Sequence, residues 1–212
     1  MREFGKIDHI IDQFDTALRT LFGRPQTTGR GNPADDITEC KLTTAEKNHA
    51  AGLMRINHAG EVCAQGLYQG QAATARLTEI RDKMRQASAE ENDHLAWCEN
   101  RLQEFGSHTS FLNPFWYVGS FVIGSAAGLV GDKWSLGFVA ETEKQVVKHL
   151  DSHLDKLPAQ DEKSRAILVQ MKIDENEHAT AALHAGGAKL PEPVKQAMGL
   201  TSKIMTTLAY RI

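Results

Sequence analysis

Apolar residues recur at steps of three and four along almost the whole chain, and no sustained alternation of apolar and polar residues occurs. Steps of three and four place side chains on one face of an α-helix, whereas a half-buried strand needs alternation. The pattern therefore predicts an all-α protein of six or seven helices. The first apolar stripe consists of Phe4, Ile7, Ile11, Phe14, Leu18 and Leu21.

Loop-forming and capping residues divide this pattern into segments. Residues 23–36 include three glycines and two prolines, which favour turns over helix. Thr43 is followed three residues later by Glu46, the pairing of a capping box, so a long helix is predicted to begin at residue 43 or 44. We therefore predict an N-terminal amphipathic helix within residues 1–22 and a linker over residues 23–40.

Further boundaries are predicted in the remaining chain. Thr78 is the best N-cap for a helix that ends before Gly106. A later helix ends at Pro158, because proline cannot continue a helix. Asp161 is predicted to cap the N-terminus of the next helix. The glycines at residues 186–187 are predicted to end that helix.

The chain length of 212 residues suits one domain, because this size buries a core without disulfides. We interpret residues 1–212 as that single domain and residues 41–187 as a four-helix bundle. A last amphipathic helix is predicted within residues 191–212. Its apolar side carries Val194, Met198, Ile204, Met205 and Leu208.

Composition and charge exclude several classes of protein. The formal net charge of −3 lacks the basic excess that nucleic-acid binding needs. The three cysteines share no C-x-x-C spacing, which is typical of reduced thiols in the cytosol. Asp8 and Asp12 interrupt the apolar run that a signal peptide would need, so secretion is not expected.

The longest uncharged segment, residues 109–131, raises the question of a membrane. It contains Asn113, Pro114 and four glycines, so it is less apolar than the ~20-residue helix that spans a bilayer. We predict that it lies buried in protein or in a membrane interface, and does not cross the bilayer.

Two segments carry the pattern Glu-x-x-His, with Glu91 and His94 in the first and Glu175 and His178 in the second. On a helix, this spacing puts the carboxylate and the imidazole on one face. Bundles that bind two iron or manganese ions take such a pair from two helices and one glutamate from each of two others. The repeated pattern therefore predicts two further inward-facing glutamates, each one helix upstream.

Hairpin geometry selects Glu61 and Glu143. In an antiparallel pair of helices, two residues at the same height along the bundle are separated from the connecting turn by similar numbers of residues. The midpoint between Glu61 and Glu91 is residue 76, close to the predicted boundary at Thr78. The midpoint between Glu143 and Glu175 is residue 159, inside the predicted turn that follows Pro158.

Periodicity decides between Glu143 and the neighbouring Glu141. The residues three and four positions from Glu143 include Val139, Val146 and Val147. The residues three and four positions after Glu141 are Lys144 and Gln145. Glu143 therefore lies on the apolar stripe, where a carboxylate is costly unless it is paired or binds a metal.

The predicted site holds oxygen and imidazole ligands that suit iron or manganese, and two cations would neutralise its four carboxylates. The six predicted metal ligands, through which catalysis would also proceed, are Glu61, Glu91, His94, Glu143, Glu175 and His178. Glu90 and Asp174, four residues before the two histidines, are either acceptors for the imidazole N–H groups or solvated acids.

The remaining histidines and Cys98 are open to more than one interpretation. His58 lies three residues before Glu61 and is predicted to be packed or to support a ligand. His149 and His153 are four residues apart and either bind zinc or lie on a solvated helix face. Cys98 is predicted to be a small buried thiol.

The assembled motifs resemble the demethoxyubiquinone hydroxylase family, membrane-peripheral members of the ferritin-like di-iron carboxylate group, over about residues 40–212. The N-terminal helix is similar to an extension found in bacterial members. The resemblance rests on Arg55-Ile56-Asn57-His58-Ala59-Gly60-Glu61, on Glu91-Asn92-Asp93-His94, on residues 124–131, on Val139-Ala140-Glu141-Thr142-Glu143 and on Asp174-Glu175-Asn176-Glu177-His178.

This resemblance implies a ferritin-like four-helix bundle with additional N-terminal, interfacial and C-terminal helices. It implies a monooxygenase of ubiquinone biosynthesis that uses two iron ions and O2 to hydroxylate 3-demethoxyubiquinol. Electrons would come from NADH or from the quinol itself, and the chain has no G-x-G-x-x-G nucleotide motif. An iron-binding protein or ferroxidase of the ferritin type is the alternative, and a metal-free helical interaction protein is a third.

A polyprenyl quinol resides in the bilayer, so the resemblance also implies peripheral binding at the cytoplasmic face of the inner membrane. A homo-oligomer and contacts with other ubiquinone-biosynthesis proteins are further expectations. The residues expected in the interface are Phe111, Phe115, Trp116, Tyr117, Phe121, Val122 and Ile123. A helix buried in the core or at a dimer contact is the alternative for this segment.

Overall fold

The computed structural model describes residues 5–212, apart from the side chains of Lys6, Ile7, His9 and Ile10. Within this range the chain forms seven α-helices and no strand, so the all-α prediction is confirmed. The predicted stripe residue Phe4 and the side chain of Ile7 lie outside the described residues. The helices are α1 (Lys6–Phe22), α2 (Thr44–Thr74), α3 (Thr78–Glu104), α4 (Asn113–Val130), α5 (Asp132–Lys156), α6 (Glu162–His184) and α7 (Glu192–Ala209).

Four of these helices, α2, α3, α5 and α6, form a bundle with two apolar layers. All four contribute to each layer, which confirms the four-helix bundle. One layer includes Met54, Leu102, Leu150 and Leu168. The other includes Tyr68, Met84, Leu136 and Ala182. The sequence positions between these two layers are those of the predicted metal ligands.

Two of the predicted helix caps are confirmed and one is wrong. The Thr43 side chain accepts from the backbone N–H of Glu46 in a capping box, and Asp161 accepts from that of Ser164. Thr78 is the first residue of α3 and its side chain caps nothing. The carboxylate of Asp132 on α5 instead accepts from the backbone N–H groups of residues 76 and 77, just before α3, at 3.0 and 2.9 Å. A contact supplied by a distant helix leaves no local sequence signal.

Helix α4 runs parallel to α2 and lies directly on it. Gly124 and Gly128 of α4 face Leu67 and Thr74 of α2, and Gly66 of α2 faces the backbone of α4. A Cβ atom at Gly124 would overlap the carbonyl oxygen of Leu67. The glycines therefore allow the two backbones to approach closely.

The outer side of α4 is apolar and exposed. Within residues 5–212 no helix, α4 included, is long and apolar enough to cross a membrane. Four of the residues predicted for an interface are exposed: Phe111, Phe115, Val122 and Ile123. Trp116 and Phe121 are half-buried. The expectation for Tyr117 is wrong, because Tyr117 is buried against Val62 and Leu95 and its hydroxyl donates to Gln69.

The terminal helices pack on the bundle with part of their apolar surface exposed. Ala17 and Leu21 of α1 pack beside Tyr117, whereas Phe14 and Phe22 of the same helix are exposed. On α7, Ala209 is buried against α2, and Met205 packs beside it. The opposite part of α7 leaves Ile204 and Leu208 exposed.

Candidate metal centre

The six predicted ligands come together in one polar layer between the two apolar layers. Glu91 and His94 are fully buried, and Glu61, Glu143 and Glu175 are at most 3% exposed. His178 is half-buried. Buried carboxylates are stable only when paired, protonated or bound to cations, so this layer requires positive charge.

His94 faces three of the carboxylates through its Nδ1 atom. The distances from this nitrogen are 2.8 Å to Glu91 Oε2, 3.3 Å to Glu175 Oε1 and 3.8 Å to Glu61 Oε2. One potential ligand atom from each of these four residues lies within 4.8 Å of all the others. This group has the size and composition of a site for one divalent cation.

His178 faces two of the same carboxylates from the opposite side. Its Nδ1 atom lies 3.0 Å from Glu91 Oε1 and 3.5 Å from Glu175 Oε2. Each of the two histidines therefore approaches one oxygen of Glu91 and one oxygen of Glu175. These two glutamates are the carboxylates that two neighbouring cations would share.

The far nitrogens of the two imidazoles are held by acids. His94 Nε2 lies 2.8 Å from Asp174 Oδ2, and His178 Nε2 lies 2.7 Å from Glu90 Oε2. A carboxylate only accepts, so Nε2 carries the hydrogen and a neutral ring presents the Nδ1 lone pair to the layer. The prediction that Glu90 and Asp174 accept imidazole N–H groups is confirmed, and each acid serves the histidine of the other helix.

Glu143 belongs to the same layer and is paired with a residue that the sequence did not reveal. Its carboxylate accepts a hydrogen bond from the hydroxyl of Tyr68, which is buried. Tyr68 lies seven residues after Glu61 on α2, a spacing that puts both on one helix face. Glu141 is half-exposed and accepts from Gln145, so the assignment of Glu143 to the buried face is confirmed.

Burial and mutual repulsion shift the pKa values of the carboxyl groups. Burial raises the pKa of Glu61 well above its usual range, and the charges of Glu91 and Glu175 raise it further. The pKa of Glu143 is raised for the same reasons. Without cations, these carboxyls hold protons because four charges cannot share one buried layer.

The pKa values of the histidines show the same shortage of positive charge. Burial lowers the pKa of His178, but the carboxylates of Glu175 and Glu91 beside its Nδ1 atom raise it to about 12. For His94, burial is likewise outweighed, chiefly by the charge of Glu91, and the pKa is raised well above its usual range. Protons on the imidazoles thus compensate the carboxylates when no metal ion does.

Several inward-facing atoms lack hydrogen bonds, which tests whether the residues fit metal ions. Glu91 Oε1, Glu175 Oε2 and His178 Nδ1 are buried without a hydrogen-bond partner. With Nε2 of His178 protonated, all three atoms offer lone pairs to the same volume. Carboxylate oxygens and imidazole nitrogens arranged in this way suit two divalent ions such as iron or manganese.

His58 and His153 have protein partners outside this layer. His58 is buried 3.4 Å from the amide nitrogen of Asn113, and burial lowers its pKa to about 4. His153 Nδ1 lies 2.8 Å from Asn57 Oδ1, and its pKa also falls to about 4, chiefly through burial. The solvated-face interpretation of His153 is therefore wrong, because helix α5 turns it toward α2.

Two other sequence interpretations concern His149 and Cys98. His149 Nε2 lies 2.9 Å from the hydroxyl of Ser202 on α7. Within the described residues, neither His149 nor His153 belongs to a group of three potential metal ligands. Cys98 is a free, fully buried thiol beside the sulfur of Met171, which confirms its assignment as a small buried residue.

Comparisons with known proteins agree with the motifs. A family model described as "Ubiquinone biosynthesis protein COQ7" matches residues 48–209. The chain is 61% identical to a 3-demethoxyubiquinol 3-hydroxylase of Nitrosococcus oceani, over 100% of this chain and 99% of that protein. It is 60% identical to the protein of the same description from Polynucleobacter asymbioticus, over 97% and 99% of the two chains. It is 58% identical to the protein of the same description from Stutzerimonas stutzeri, over 100% of this chain and 98% of that protein.

Proposed function

The chain belongs to the ubiquinone biosynthesis protein COQ7 family, and from this membership we propose that it is a di-iron monooxygenase that hydroxylates 3-demethoxyubiquinol with O2. The observation that carries the proposal is the buried layer of four carboxylates and two imidazoles whose Nδ1 atoms face inward. The descriptions of the relatives favour this function over the ferritin-type alternative.

In this proposal, the six residues would be divided between two ions. Glu61 and His94 would hold one ion, His178 and Glu143 the other, and Glu91 and Glu175 lie against both imidazoles. Two iron ions supply the redox chemistry that activates O2. This division leaves each ion with few protein ligands, which is what an open catalytic site needs.

The residues around the layer keep it dry and fix its protons. The two apolar layers exclude water from either end, which protects a strong oxidant from side reactions. Asp174 and Glu90 hold the hydrogen on Nε2 of His94 and His178, so each Nδ1 is available as a ligand. The Tyr68 hydroxyl donates a hydrogen bond to Glu143 and thereby restrains the orientation of that carboxylate.

The substrate requires access to a lipid phase, and α4 offers the surface for it. Asn113–Val130 contains no charged residue, and its outer side exposes large apolar side chains. Phe14 and Phe22 of the neighbouring helix α1 add to the exposed apolar surface. We therefore propose that α4 and α1 bind peripherally to the cytoplasmic face of the inner membrane.

Charging the outer side of α4 is expected to abolish binding to vesicles. The double variant Phe115→Asp with Val122→Asp should lose at least tenfold in partitioning to anionic phospholipid vesicles, because both side chains are more than half exposed. Co-sedimentation measures the bound fraction. Ile173→Asp on α6, also an exposed apolar position, is the matched control and should bind as the wild type does. Unchanged sedimentation of the double variant would contradict membrane binding through α4.

Quinone profiling tests the proposed reaction. A bacterial strain lacking this gene should accumulate demethoxyubiquinone, and the wild-type chain should restore ubiquinone. His178→Ala should fail to restore it, because the variant removes one imidazole from the metal layer. His184→Ala, an exposed histidine six residues further along α6, is the control and should restore it. Restoration by His178→Ala would refute the assignment of the site.

A further inference from the structure

The non-helical segment before α2 reaches the metal layer. The backbone nitrogen and the hydroxyl of Thr28 lie 2.8 and 2.6 Å from the two carboxylate oxygens of Asp93. Asp93 is fully buried and directly precedes His94 on α3. This segment is therefore fixed to α3 beside one of the candidate metal ligands.

Arg30 of the same segment joins α3 to α6. Its Nε atom lies 2.8 Å from Asp93 Oδ2, and its Nη1 atom lies 2.8 Å from Asp174 Oδ2. That same Asp174 oxygen lies 2.8 Å from Nε2 of His94. The guanidinium also lies over the ring of Trp97, 5.1 Å from its centre, and Trp97 packs against His94. Arg30 thus holds Asp174 in place, and Asp174 in turn holds the imidazole of His94.

The second histidine is supported differently. Besides His178, its acceptor Glu90 contacts Gln86 of the same helix, which donates to it at 3.1 Å, and the Glu90 side chain is 35% exposed. Asp174, in contrast, is held by Arg30 and by Gln170, and its side chain is 10% exposed. The acceptor of His94 is therefore held more firmly than the acceptor of His178.

We propose that Arg30 is a positioning residue of the metal centre, which orients Asp174 and through it His94. The inference rests on the proposed metal site. Residues 28 and 30 precede the range 48–209 that matches the family model, so a segment outside that range completes one half of the centre. Binding of the ion next to His94 consequently depends on docking of this segment.

The sign of the effect separates positioning from simple electrostatics. Arg30 is positively charged and close to the site, so its removal would strengthen cation binding if charge alone mattered. If Arg30 positions His94, its removal weakens binding, because side chains that hold a metal ligand in place typically contribute ~10- to 100-fold to metal affinity. The two explanations therefore predict opposite shifts.

The experiment is an anaerobic titration of the metal-free protein with Fe2+ and with Co2+. Arg30→Gln should weaken one of two binding steps by about tenfold and leave the other within twofold of the wild type. Arg30→Lys and Asp93→Asn should weaken the same step, because lysine cannot bridge two carboxylates and asparagine loses the ion pair. The Co2+ absorption bands of the weakened step should change as well. Arg19→Gln, which removes an exposed pair with Asp15, is the control.

The outcomes are distinguishable. Unchanged or tighter binding by Arg30→Gln, with or without a lower melting temperature of the metal-free protein, would overturn the positioning role. Equal weakening of both steps would also overturn it, since only His94 is connected to Arg30. Failure of the wild-type chain to bind either ion would refute the proposed function together with this inference.

Discussion

Replacing Glu175 with glutamine is expected to remove most of the bound iron from both positions. Both imidazoles approach this carboxylate, at 3.3 Å from His94 and 3.5 Å from His178, so one change affects both ions. We expect the affinity for Fe2+ to fall by more than ~100-fold, a larger loss than follows from changing a residue that only orients a metal ligand. Iron per chain after anaerobic loading and dialysis measures the effect. Glu143→Ala is expected to lose most of the iron as well.

A matched control lies two residues away on the same helix. Glu177 is exposed, and Glu177→Gln should retain two irons per chain. Normal iron content in Glu175→Gln would contradict the proposed ligand set.

The pH dependence of this first prediction follows from the raised pKa values. A histidine whose pKa rises from ~6.5 to about 12 on folding adds stability that is complete below pH ~6.5 and is lost as the pH rises. The raised pKa values of Glu61 and Glu143 act in the same direction. The metal-free protein should therefore lose stability progressively as the pH rises above ~6.5, and the part of this loss that falls between pH ~6.5 and pH ~8 is accessible to measurement. The melting-temperature gain on iron loading, measured by calorimetry, should be larger at the higher pH.

Replacing Gly124 with valine is expected to lower the free energy of unfolding by about 3 kcal/mol, at the upper end of the range for overpacked positions. The new Cβ atom would overlap the Leu67 carbonyl oxygen, which belongs to the α2 backbone and cannot rotate away. Helix α4 would have to move off α2 to relieve the overlap. Urea unfolding followed by circular dichroism measures the change.

Gly119 on the same helix provides the control for Gly124. A Cβ atom at Gly119 would meet no atom within 4 Å, so Gly119→Ala is expected to stabilise the helix by ~0.5–1 kcal/mol. Wild-type stability of Gly124→Val would show that α4 does not pack on α2 as closely as described.

The sequence predicted those parts of the fold and site that depend on spacing along one helix or one hairpin. Glu143 could be distinguished from Glu141 because a stripe of valines surrounds only one of them. The common height of the six predicted ligands followed from the two Glu-x-x-His pairs and the turns one helix upstream of each. Residue roles as metal ligands stay predictions until a metal is measured.

Features formed by segments far apart in the chain were not predictable from spacing. Arg30 contacts Asp174 across 144 positions, and Asp132 accepts from the backbone of residues 76 and 77, just before α3. Tyr117 was expected in an interface because it stands in an aromatic, uncharged segment, but close packing of α4 on α2 turned it inward. Only the packing of helices determines which side of an apolar segment remains exposed.

The parallel, glycine-mediated packing of α4 on α2 also sets how far a quinol must travel. Helices in contact lie about 8–10 Å apart, and α2 carries Glu61, one wall of the metal layer. With α4 resting in the headgroup region, the bundle would lie flat, its long axis in the membrane plane. The aromatic ring then needs to leave the lipid by roughly one helix diameter, ~10 Å, while its prenyl tail stays among the acyl chains.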